Sequence, residues 1–264
     1  MLEESLLNYE VDEDDYICGN RFINESNTDN IVFCKTDYIP EYKGKIVDTF
    51  ITHNSDYHIT KEVYDFGPRA RTWFCQNKDF NNDNLISLPI GLENFEPVFN
   101  AQSQFGRYST LPQNGFSKKE YIIELSAQKQ EHDKLVYLNI NPTTYRSERN
   151  LVIDLFRDKS WVTFKSNLDW KEYYNDISRH KFVISPRGNG VDCHRTWESL
   201  YLRSIPIVLK SIHMNEFSDL PILLIDSWEQ VTEDFLLTEY DKMINIRYNM
   251  SKLKMSYWSD VICR

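Results

Sequence analysis

"KFVISPRGNGVDCHRTWESLYLRSIPIV", residues 181–208, runs from an apolar strand through a glycine-containing turn into a charged helix and out to a second apolar strand. A strand, helix and strand in so short a span make a crossover between parallel strands, which a hairpin cannot join. In an open parallel sheet ligands bind outside the carboxyl ends of the strands. The turn PRGNGVDCHR occupies such an end.

The same rhythm extends outward in both directions. Before the turn come KLVYLNI, the helical SERNLVIDLFRDK, the strand WVTFK and the helix WKEYYNDISRH; after it comes the strand PILLID. Short apolar strands alternating with helices predict an α/β fold with a doubly wound parallel sheet. An earlier alternation, IVFCKTDYI, KIVDTFITHNSD, a helical YHITKEVYDFG, TWFC and LISLPIG, predicts a first α/β unit. The stretch from 98 to 132 lacks a continuous apolar strand and reads as the crossing between units, a surface loop leading to a polar helix. Residues 1–29 are acidic and Asn-rich and read as a loosely packed arm or a covering segment. The last stretch, from EDFLLTEY onward, reads as one or two closing amphipathic helices.

Composition bounds the partners. Forty acidic against thirty basic residues give a formal charge of -10, a repulsive long-range field toward nucleic acid or an anionic membrane. No apolar run reaches the roughly 20 residues of a membrane helix, and the first residues are acidic where a targeting peptide is basic. The expectation is a soluble, cytoplasmic protein with no nucleic-acid partner and no membrane insertion. The five cysteines are widely spaced and form no CxxC pair, so neither a disulfide framework nor a zinc ribbon is predicted.

The turn itself is built for an anion. Gly188 and Gly190 flank Asn189 and allow close backbone approach. A helix beginning near Asp192 presents unpaired N–H groups and about half a positive charge. Arg187 and Arg195 bracket the turn, and guanidinium groups bind phosphate oxygens in pairs. Glu198 lies one helical turn beyond Arg195, placed to accept from ribose hydroxyls. The competing reading has Asp192 capping the helix and Arg195 pairing with Glu198 on its surface. Neither GxGxxG nor GxxxxGK[ST] is present, which argues against a dinucleotide fold or a P-loop.

Over roughly residues 172–210 this pattern resembles the exostosin-like glycosyltransferases, in which a strand and a PRG turn lead to an Arg, a Glu and a small-residue-Ile-Pro-Val strand. A more distant similarity is to the protein O-glucosyltransferases. ITHNSD and WFCQNKDF…ISLPIGLEN resemble the amino-terminal half of small members of the group. The resemblance implies a GT-B type architecture, two Rossmann-like domains facing a cleft: residues 1–128 for the acceptor and 129–264 for a nucleotide-sugar donor. It also implies inversion at the sugar carbon, with no metal or other cofactor required. By position Arg195 would hold the diphosphate, Glu198 the ribose, and Gly188, Asn189 and Gly190 the phosphate or sugar; Arg187, Asp192 and His194 complete the donor-facing set. Arg203-Ser204 departs from the family, which has a small pair there.

Other strand ends supply the remaining candidates. Arg149 follows KLVYLNI and resembles the family's second phosphate contact, against the alternative of a solvent-facing helix arginine; Arg146, Lys165 and Ser166 are weaker. In the first unit THNSD ends a strand, so His53 or Asp56 is a candidate base for the acceptor hydroxyl. Asp56 reads equally as the N-cap of a helix starting at Tyr57. Asn54, Gln76 and Asn77 are candidate contacts to acceptor hydroxyls. Cys193 and His194 lack ligand-spaced partners, so no metal site is assigned. The sequence therefore predicts an inverting transferase acting on a nucleoside-diphosphate sugar, with uridine preferred because the resembled families favour it, and a glycan or glycoprotein acceptor. The alternative is a non-catalytic carbohydrate- or nucleotide-binding module of the same fold.

Overall fold

The computed structural model describes residues 9–25, 30–96, 113–128 and 131–264. Among these lie two parallel sheets. The first consists of β1 (Ile31–Lys35), β2 (Ile46–His53), β3 (Arg69–Cys75) and β4 (Leu85–Ser87), side by side in chain order. The second contains β5 (Lys134–Leu138), β6 (Val162–Phe164), β7 (His180–Ile184), β8 (Ile205–Leu209) and β9 (Leu223–Ile225), in the order β6-β5-β7-β8-β9.

The two orders differ in what they do for ligands. The second chain path steps from β5 outward to β6, then returns to β5's other side as β7. That reversal is a topological switch point, where loops leave neighbouring strands in opposite directions and open a crevice. The first sheet has no reversal, so it has no equivalent crevice between its own strands.

Helices α1 (Gly19–Glu25) and α2 (Lys61–Phe66) belong to the first unit and α3 (Gln113–Ala127) follows it; α4 (Arg146–Phe156), α5 (Trp170–Ile177), α6 (His194–Tyr201), α7 (Ile212–Asn215), α8 (Glu233–Met243) and α9 (Met255–Ile262) cover the second. Alternation along each strand sends side chains to opposite faces. In the second sheet Val136, Leu138, Phe182, Ile184 and Ile207 pack with Val152 and Phe156 of α4 and Leu236 and Tyr240 of α8. Tyr137, Val183 and Val208 point the other way and join Tyr174, Trp197 and Leu200. That second cluster continues into Phe33, Ile51 and Phe74 of the first sheet, so one apolar core spans the two sheets.

Several expectations change here. Residues 1–29 read as a loosely packed arm or a covering segment, and the burial of Ile17, Cys18 and Phe22 in the shared core decides for the second over the described part. The helix expected from Tyr57 begins at Lys61, capped by Thr60, whose hydroxyl accepts from the Val63 N–H at 3.4 Å. Residues 57–59 stay extended because the Ile59 N–H donates to the Asn77 carbonyl at 3.0 Å. Of the stretch 98–132, residues 98–112, 129 and 130 lie outside the described residues. The rest is mainly α3, whose Ile122 and Leu125 are buried in the shared core. Arg203, the departure noted at the end of α6, takes φ 64. There the Ser204 N–H reaches the Ser199 carbonyl and the Arg203 N–H the Leu200 carbonyl, both at 2.9 Å, a left-handed helix stop that glycine more often fills. Among the described residues no helix is long and apolar enough to cross a membrane.

Stability should depend on pH through a buried histidine. His180 is completely buried; its Nδ1–H donates to the Asp176 carbonyl at 2.5 Å and its Nε2 has no partner among the described residues. Protonating Nε2 would bury a charged donor unmet, and burial lowers the pKa to about 4. The unfolded chain, with an imidazole pKa of about 6.5, then binds the proton more readily than the fold. The stability from this group is whole above about pH 6.5 and is lost as pH falls toward 4, at about 1.4 kcal/mol per pKa unit. Urea unfolding of the wild type should weaken across that window more steeply than that of His180→Leu; equal slopes would contradict the assignment.

Candidate functional site

The turn after β7 is fixed by contacts that cross to the first unit. Asp192, 3% exposed, accepts from the Ile90 N–H at 2.7 Å, its neighbour Cys193 N–H at 2.8 Å and the Trp197 indole N–H at 2.8 Å. The Lys78 N–H donates to His213 Nδ1 at 3.3 Å, so Nε2 carries that ring's proton toward Asp192 Oδ2, 3.4 Å away. Asn77, fully buried, accepts from the Asp192 N–H at 3.1 Å and donates to the Ser55 carbonyl at 3.0 Å. A Cβ on Gly190 would sit 2.7 Å from the Asn77 side chain. Gly190 is therefore required by close packing of the turn against Asn77. Asp192 and Asn77, expected at donor and acceptor respectively, have their side chains committed to this junction.

Arg187 spans the same gap. Its Nη2 donates to His58 Nε2 and to the Asn189 carbonyl, both at 2.7 Å, and its guanidinium lies 4.2 Å over the Tyr145 ring. His58 Nδ1, the proton-bearing nitrogen, faces Asp79 at 3.2 Å. The Asn189 amide donates to Asp56 at 3.2 Å.

Behind the turn, at the switch point, two arginines converge. Arg149 is 6% exposed, with Nε donating to the Arg187 carbonyl and Nη1 to the Asn141 carbonyl, each at 2.9 Å. The solvent-facing alternative is thus excluded for Arg149, whereas Arg146 is exposed. Burial first, and then the Arg195 charge, lower the Arg149 pKa. Arg195, on the first turn of α6, buries Nε and Nη1 with no hydrogen-bond partner among the described residues. Burial opposes its charge, but Tyr173, Cys193 and Glu198 outweigh burial and the net direction is upward. Glu198 is 7% exposed and accepts from the Tyr173 hydroxyl at 3.0 Å and the Tyr174 hydroxyl at 2.8 Å. It is not paired with Arg195 on a helix surface. The N-cap of α6 is Cys193, without a side-chain capping bond. Gly188 faces Arg149, with 3.6 Å between the position of a Cβ and Nη2. Lys165 is held by Asp176 at 2.7 Å, and Ser166 is exposed.

On the first unit's side of the turn lies a cavity of about 580 Å³. Asn54, Ser55, Asp56, Gln76 and Asn94 line it, with Lys35 and Asp37 at the end of β1 and Asn189 and His194 from the second unit. Gln76 is 1% exposed, and its Oε1 has no donor among the described residues. His53 does not line this cavity. It is completely buried, with Nε2 3.0 Å from the Pro89 carbonyl and Nδ1 3.2 Å from the Asn54 amide. Gly19 packs so tightly there that a Cβ would fall 1.8 Å from Asn54 Oδ1. Burial lowers the His53 pKa. A base must reach the proton it takes, so His53 is corrected from candidate base to buried structural histidine.

Of the expected residues, the structure thus brings the charges of Arg149, Arg195 and Glu198 near one another and places Asn54, Asp56, Gln76, Asn189 and His194 around one cavity. Sequence reading missed Tyr173 and Tyr174, which the spacing of α5 alone would have assigned to the core, and His213, whose partners are far away in the chain.

No family model matches this chain, and no curated protein matches it. Among solved structures, one titled "Crystal structure of GtfA/B complex" aligns with 82% of this chain and 57% of its own, at 9% identity and a TM-score of 0.28. The chain spans little more than half of that structure's length, and a likeness of this size carries no argument. The exostosin resemblance rests on the turn and its flanking residues.

Proposed function

We propose that this protein transfers a glycosyl group from a nucleoside-diphosphate sugar to a hydroxyl of a glycan or glycoprotein acceptor, by a single inverting displacement. The observation that carries this reading is Arg195: a guanidinium whose buried Nε and Nη1 have no hydrogen-bond partner among the described residues, beside the buried Arg149, at the switch point of a parallel sheet. Buried N–H groups without acceptors are costly, and phosphate oxygens bound there would satisfy them. Two guanidinium groups suit a diphosphate better than a single carboxylate.

The remaining groups fit the same substrate. Glu198 uses two of its roughly four lone-pair sites on tyrosine hydroxyls, which leaves capacity for ribose hydroxyls one helical turn from the phosphates. The adjoining cavity is rich in amide groups, which both donate to and accept from sugar hydroxyls, and Gln76 Oε1 awaits a donor. In the reaction the acceptor oxygen bonds to the anomeric carbon, the bond from that carbon to phosphate breaks, and its electron pair departs with the diphosphate. Arg195 and Arg149 would stabilise the charge that develops on that leaving group. Uridine is the preferred base by the family resemblance.

The test is release of free nucleoside diphosphate from a panel of UDP- and GDP-sugars, with and without carbohydrate acceptors. Release from one donor, accelerated by an acceptor, is the expected result. No release from any donor by folded protein that binds the nucleotide would favour a non-catalytic binding module instead.

A further inference from the structure

We infer that His194 is the general base that takes the proton from the acceptor hydroxyl, an assignment that rests on the transfer reading above. The argument begins with its tautomer. Nδ1 lies 2.8 Å from the Gly91 carbonyl, which can only accept, so Nδ1 carries the proton. Nε2 is then the ring's lone-pair nitrogen, and it has no partner among the described residues. His194 lines the cavity together with Asn54, Asp56 and Gln76. The carbonyl that holds it is itself fixed, because the next N–H, that of Leu92, donates to the Ile17 carbonyl at 2.8 Å. A base oriented through one nitrogen and bare at the other is the arrangement that proton abstraction requires.

Its position relative to the arginines suits the displacement. Successive residues on a helix diverge by about 100°, so His194 faces the first unit while Arg195 faces Tyr173 and Glu198. A sugar bridging the two would have its diphosphate on the arginine side and the incoming hydroxyl on the histidine side. Lys35, Asp37 and Asp56 line the same cavity, His53 interacts electrostatically with the imidazole, and Arg195 is its neighbour on the helix. The rival base, Asp56, already accepts from the Asn189 amide. In the step itself the hydroxyl proton passes to Nε2 as its oxygen bonds to the anomeric carbon. The nucleoside diphosphate leaves with the electron pair of the broken bond, and the imidazolium later returns its proton to water.

Two variants separate chemistry from structure. His194→Asn keeps an N–H donor for the Gly91 carbonyl but has no basic nitrogen, and His194→Ala opens space for added imidazole. The probes are UDP and GDP for binding, and turnover of whichever nucleotide's sugar conjugate the wild type uses. Both variants should bind nucleotide as the wild type does and lose about 10²–10⁴-fold in turnover, with imidazole restoring part of it in His194→Ala alone. Turnover in either variant within a few-fold of wild type, or a loss confined to Asp56→Asn, would overturn the assignment. If the wild type binds neither nucleotide, the transfer reading has failed, and the base assignment falls with it.

Discussion

Replacing Arg195 with alanine is expected to abolish the rise in Tm that the matching nucleoside diphosphate confers on the wild type, and to lower turnover by about 10²–10³-fold. Ligand present at about 100 times its Kd stabilises a fold by about 2.7 kcal/mol, which for a chain of this length is a shift of several degrees. The substitution removes both unbonded nitrogens, Nε and Nη1, while Glu198 keeps its two tyrosine hydroxyls, so the unliganded chain should remain folded. Differential scanning with and without UDP or GDP reads both effects. A variant that still gains the full ligand-induced shift would remove Arg195 from the site.

The second large effect concerns the joint between the two sheets. Asp192→Asn should cost about 3–5 kcal/mol, the range for breaking a buried charged network by altering one partner, and lower Tm by on the order of 10 °C. Every neighbour of that carboxylate is a donor: two backbone N–H groups, the Trp197 indole and the His213 ring. An amide's NH₂ group must therefore face one of them, donor against donor. A loss below about 1 kcal/mol, measured by urea unfolding, would show that the network contributes little.

These two residues also mark what could and could not be read along the chain. Strands such as KFVIS and IPIVL follow from local apolar runs. The placement of Arg195 and Glu198 on the helix that follows a strand's carboxyl end was legible for the same reason. The role of Asp192 was not: its partner Ile90 is 102 positions away, and no local pattern encodes that pairing. The start of α2 was misplaced because Asp56 is itself a good cap, and the bond from the Ile59 N–H to the Asn77 carbonyl, which no local pattern encodes, moves the cap to Thr60. His53 looked available at a strand end, but the close packing of Gly19 that seals it comes from a segment whose sequence shows no helical period. His194 stood in plain view as a residue, yet its value as a base depends on the Gly91 carbonyl, which only the fold brings to it.

The most direct test of the account is a calorimetric titration of the wild-type chain with UDP and with GDP, repeated on Arg195→Ala and His194→Asn. The account predicts saturable binding of one nucleotide, lost in the first variant and kept in the second. Absence of binding heat for both nucleotides, with the protein shown to be folded, would contradict the assignment of the paired arginines to a diphosphate.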